Sequence, residues 1–72
     1  MLPIAVESTL LTAVAYDPSQ RGLHLQFHGG AVYKYLGVPA EIQQALLSAP
    51  SKGRYFNQAI RGRFPFTRQF LS

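Results

Sequence analysis

Four cations, Lys52, Arg54, Arg61 and Arg63, fall within the stretch SKGRYFNQAIRGRF (51–64), interleaved with Tyr55, Phe56, Ile60 and Phe64. Interleaved cations and rings suit one chemistry above others. Ammonium and guanidinium groups take phosphates, while aromatic faces stack on bases. A cation in the first turn of a helix faces the positive end of the helix dipole, at a cost of about 0.3–1 kcal/mol when exposed. A bound anion reverses that sign. With Ser51 as N-cap, free N–H groups behind it and the small Gly53, residues Lys52 and Arg54 outline a phosphate site that Arg61 and Arg63 extend. Tyr55 lies at the edge of the helix's apolar arc and is the candidate stacking ring. Asn57 shares the polar arc with Arg54 and Arg61 and completes the candidate nucleic-acid-binding set. His24 is a further candidate for a stacking or edge contact. The competing reading is structural: long basic stems cover apolar surface while their heads stay solvated.

Other chemistries find no constellation. His24 and His28 lie four apart on one predicted strand, about 13 Å from each other, which is too far to share a metal ion. Ser51 adjoins Lys52, but a capping serine uses its oxygen on backbone N–H groups, and no His–carboxylate pair accompanies it. The three acids, Glu7, Asp17 and Glu41, are scattered, so paired-carboxylate catalysis is not expected either. APSKG lacks the glycine spacing of a phosphate-binding loop. The reading is therefore a non-enzyme with no metal and no cofactor.

Composition agrees. The chain has 72 residues, 47% of them hydrophobic and 14% charged, so it is too apolar for disorder and lean in surface charge. One domain, 1–72, is expected. Cysteine is absent, which suits a reducing compartment. The net charge of +4 favours anionic partners. MLPIAVEST lacks the basic and long apolar segments of a signal peptide, and no run approaches a membrane span, so a cytoplasmic protein without a membrane partner is expected.

The elements that must position these residues read as strands first and helices second. TLLTAVAY (9–16) is a strand stopped by the turn formers DPSQRG. LHLQFH (23–28) alternates, with Leu23, Leu25 and Phe27 on one face and His24, Gln26 and His28 on the other. AVYKYL (31–36) is the third strand. A two-residue Gly29-Gly30 loop would set Leu25 opposite Lys34. A three-residue loop instead pairs Leu25 with Tyr33 and Leu23 with Tyr35, keeping the apolar face intact and putting Gly30 in a left-handed conformation. Tyr33 and Tyr35 are then core residues before they are stacking platforms. Val38-Pro39 opens an amphipathic helix carrying Ile42, Ala45, Leu46 and Ala49 on one side, ending before Pro50. Ser51 caps the second helix, with Phe56, Ala59 and Ile60 inward and Gly62 as its stop. The tail FPFTRQFLS is either a last short helix or an extended clamp. The fold class is α+β: a three-stranded antiparallel meander followed by two or three short helices on one face.

The succession Tyr16-Asp17, LHLQFHGGAVYKY, Val38-Pro39 and LLSAPSKGRYFNQAI resembles the KTSC domain, a small module also found at the C-terminus of some lysyl-tRNA synthetases. The likeness runs from about Ser8 to the tail and rests on Phe27, Gly30, Tyr33, Tyr35, Val38-Pro39, Ser51, Gly53, Tyr55, Phe56, Asn57 and Ile60. It implies a compact meander with helices and a nucleic-acid context, and no reaction. Two functions from different classes follow. One is a small basic module for RNA or single-stranded DNA; the other is a protein-interaction or self-association module whose partner, another protein or a second copy, covers the lean surface and Phe-rich tail.

Overall fold

The computed structural model describes residues 2–69, so the last phenylalanine of the tail, Phe70, lies outside the described residues. The chain builds a five-stranded antiparallel sheet in the order β1-β2-β3-β4-β5. Its strands are β1 (Ile4–Ala5), β2 (Leu11–Asp17), β3 (Gly22–Phe27), β4 (Val32–Tyr35) and β5 (Phe66–Gln69), with α1 (Ala40–Ser48) and α2 (Lys52–Ala59) between β4 and β5.

The sequence-predicted meander is thus the centre of a wider sheet, and the expectation of three strands is corrected to five. Both additions are edge strands with no apolar alternation to reveal them. β1 has two residues, both exposed, and all four residues of β5 are exposed. The tail takes the extended alternative and pairs Phe66 with Tyr35 and Arg68 with Tyr33. Two helices, rather than three, lie among the described residues.

The central register is the one the apolar face demands. Leu23 pairs with Tyr35 and Leu25 with Tyr33, while Lys34 sits opposite His24 on the other face. The hairpin closes through the Gly30 N–H, which donates to the Phe27 carbonyl at 3.0 Å, and the Phe27 N–H, which donates to Ala31 at 2.8 Å. Gly30 has φ +95°, and Gly29 is left-handed as well.

One face of the sheet carries the core. Leu11, Val14, Leu23, Leu25 and Tyr35 from the strands meet Val38 before α1, Leu46 of α1, Phe56 of α2 and Ile60 just after it. Phe56 is edge-on to both Phe27 and Tyr35, with ring centroids 5.4 and 5.7 Å away. Ser51 caps α2 by accepting the Arg54 N–H at 3.3 Å, and Gly62, with φ +74°, follows the helix as its stop. Among the described residues, no helix is long and apolar enough to cross a membrane.

Candidate nucleic-acid interface

α2 presents its polar side to solvent and divides the sequence-predicted residues into two groups. Asn57 and Arg61 face a groove of about 540 Å³ between the helix and the β4–β5 end of the sheet. Ser51, Arg54 and Tyr55 line a shallower hollow of about 230 Å³ on the other flank. Arg54, Arg61 and Arg63 are exposed, and Tyr55 is half-buried against the core.

Lys52 behaves differently. Its ammonium turns back to donate to the carbonyl of Ala49, the C-cap residue of α1, at 3.2 Å. The lysine that stands unfavourably at the start of one helix therefore neutralises the negative end of the one before it. Gly53 also has a packing role. It lies over Leu10, where a β-carbon would stand 3.4 Å from the Leu10 Cβ.

The groove is walled by rings. Phe27, Tyr33, Tyr35, Phe56 and Phe66 line it, with Tyr33 and Phe66 parallel within 1° at a centroid separation of 5.3 Å. Phe66 is 53% exposed, whereas Tyr35 and Phe56 are buried. On the α2 side, the Arg61 guanidinium reaches the Asn57 side-chain oxygen at 3.5 Å. That bond is long and uses one of five guanidinium donors. Burial holds the Tyr35 phenol above its ordinary pKa, Tyr33 adds to the rise, and the positive charge of Arg61 opposes it. Across the sheet, the Arg68 guanidinium stands 5.9 Å from the centre of the Tyr33 ring.

Residues 7–64 match the KTSC domain family. The chain belongs to that family. An uncharacterized protein of Stutzerimonas stutzeri is 46% identical over 61 residues, which is 85% of this chain and 86% of that one. A lysine–tRNA ligase of a Nostoc species is 38% identical over 60 residues, covering 83% of this chain but 11% of the ligase. A KTSC domain protein from Yersinia pestis, solved by crystallography, superposes with a TM-score of 0.91 at 38% identity, covering 96% of this chain and 97% of that one.

In this KTSC domain the sequence placed Phe56 and Tyr35 in the core, and both are buried there. Tyr33 is only half-buried and serves core and groove together. Phe66 and Phe27 were not foreseen as groove residues. The FPF pattern of the tail was a signal, but with no alternating face in β5 it gave no register against β4. His24 lies opposite Lys34 on the face away from the groove, and the His28 Nε2 is 2.8 Å from the carbonyl of Ser8. Neither histidine joins the α2 residues.

Proposed function

We propose that this KTSC domain is a non-catalytic module that binds single-stranded nucleic acid, RNA foremost. The observation that carries this reading is the exposure of three arginines, Arg54 on one flank of α2, and Arg61 and Arg63 after its end, with Arg61 beside the aromatic groove and no carboxylate paired to any of the three among the described residues. Exposed guanidinium groups without carboxylate partners are free to replace counterions on a phosphate backbone, and the exposed ring of Phe66, which lines the groove with Arg61, is open to stacking. The tRNA on which the lysine–tRNA ligase relative is named to act supports an RNA partner.

Protein interaction or self-association is the weaker reading on one specific ground. Among the described residues, the large exposed apolar side chains Leu2 and Ile4 lie at the β1 edge, whereas Leu36 and Phe66 lie at the β4–β5 edge, so these four do not form one patch. A salt series on binding to labelled single-stranded RNA tests the proposal. Three phosphate contacts give a slope of about −2 in log K against log salt, whereas an apolar protein interface weakens little with salt. Failure to bind any single strand at low salt, together with a dimer in sedimentation, would replace the proposal with the self-association reading.

A further inference from the structure

We infer that the groove between α2 and the β4–β5 edge receives one unstacked base of the bound strand, with Phe66 as its stacking face, Asn57 at its edge and Arg61 on its phosphate. The inference rests on the nucleic-acid reading above and makes it specific. At about 540 Å³, the groove is within the range of small-ligand sites, roughly 300–1,000 Å³, and one of its lining rings, Phe66, is exposed.

Three features choose this occupant over an aliphatic side chain of a protein partner. Phe66 is the most exposed of the groove's rings, 53% accessible, and it is already parallel to Tyr33, so a planar ligand would extend an existing stack. Asn57 offers both a donor and an acceptor, the pairing that a base edge presents in return. Arg61 stands next to it with its donors mostly unengaged by protein, and its charge complements a phosphate. An aliphatic guest would leave both polar groups without partners on desolvation, which disfavours it.

The decisive experiment compares two labelled strands of equal length, an oligouridylate and a strand of the same phosphate count that lacks bases, on the wild-type domain. The base-bearing strand should bind about tenfold more tightly, with the same salt slope for both. Phe66→Ala and Asn57→Ala should each erase most of that difference while leaving the abasic strand's affinity unchanged. Equal, salt-dependent binding of the two strands would overturn the groove assignment and leave the nucleic-acid reading standing. Absence of binding by either strand at low salt would remove both. Because the strand comparison uses the unaltered protein, it does not depend on how well the variants fold.

Discussion

The Tyr16 hydroxyl donates to the carbonyl of Val38 at 2.6 Å, joining the end of β2 to the entry of α1 across 22 positions of sequence. The Val38 N–H is held as well, donating at 2.8 Å to Arg21, a non-glycine residue in the left-handed region at φ 53°. Both polar groups of a fully buried residue are thereby satisfied from the β2–β3 hairpin, and α1 is aimed over the sheet. Tyr16→Phe should cost about 1–2 kcal/mol in urea denaturation, because the Val38 carbonyl loses its donor in a partly buried site. An unchanged midpoint would mean that water takes over from the phenol.

Gly30 should resist substitution for a reason confined to its backbone. A β-carbon there meets nothing within 4 Å, yet φ is +95°, so Gly30→Val is costly through strain alone. About 1–3 kcal/mol of destabilisation is expected, read as a lowered melting temperature. Wild-type stability in the variant would refute the left-handed turn.

Gly53 predicts the opposite sign. It lies inside α2 with ordinary helical backbone, and a β-carbon would sit 3.4 and 3.7 Å from Leu10 Cβ and Cδ2, in van der Waals contact. Gly53→Ala should therefore stabilise the domain by about 0.5–1 kcal/mol, through helix propensity with a small gain in packing. If Gly53 instead makes room for a phosphate, the same variant would gain stability while losing RNA affinity. Measuring both quantities separates these roles.

Legibility in the sequence followed the apolar pattern. The β3–β4 register could be read because a one-residue slip would have put Lys34 with Leu25, and the inward face of α2 because Phe56 and Ile60 recur at helical spacing. β1 and β5 could not be read, since an edge strand with every side chain exposed has no buried face to impose alternation. The candidate site suffered from the same gap. Asn57 and Arg61 were visible on the polar arc of α2, but the ring that completes their groove, Phe66, is brought there by β5. Lys52 was legible only as a charge at a helix start. Its use by the preceding helix depends on the bend at Pro50 and Ser51 that lets its ammonium turn back to Ala49.

His24 gives the fold a pH dependence whose sign is fixed. Burial first, and the nearby Lys34 second, hold its pKa below the ordinary 6.5, with Asp17 opposing weakly. Just below pH 6.5 the unfolded chain thus binds more protons than the folded one. The stabilisation is whole above 6.5 and is lost as the pH falls through the depressed value. The melting temperature should drop between neutral and mildly acidic pH, and His24→Gln should flatten that part of the profile. A variant that keeps the wild-type slope would assign the dependence to another group.

Lys52 and Arg54, which the sequence groups as one phosphate clamp, should separate in experiment. Lys52 donates to the last carbonyl of α1's C-cap, so Lys52→Gln should cost about 0.3–1 kcal/mol of stability and leave single-strand RNA affinity nearly unchanged. Arg54 is exposed at the start of α2, and only its backbone N–H is engaged by the Ser51 cap. Arg54→Gln should keep or slightly raise stability while making the salt slope of RNA binding shallower by about 0.7. The reverse pattern, with affinity lost at Lys52 and stability lost at Arg54, would mean that the lysine head leaves Ala49 for the ligand. The phosphate site would then be the N-terminus of α2 itself rather than the exposed arginine side chains.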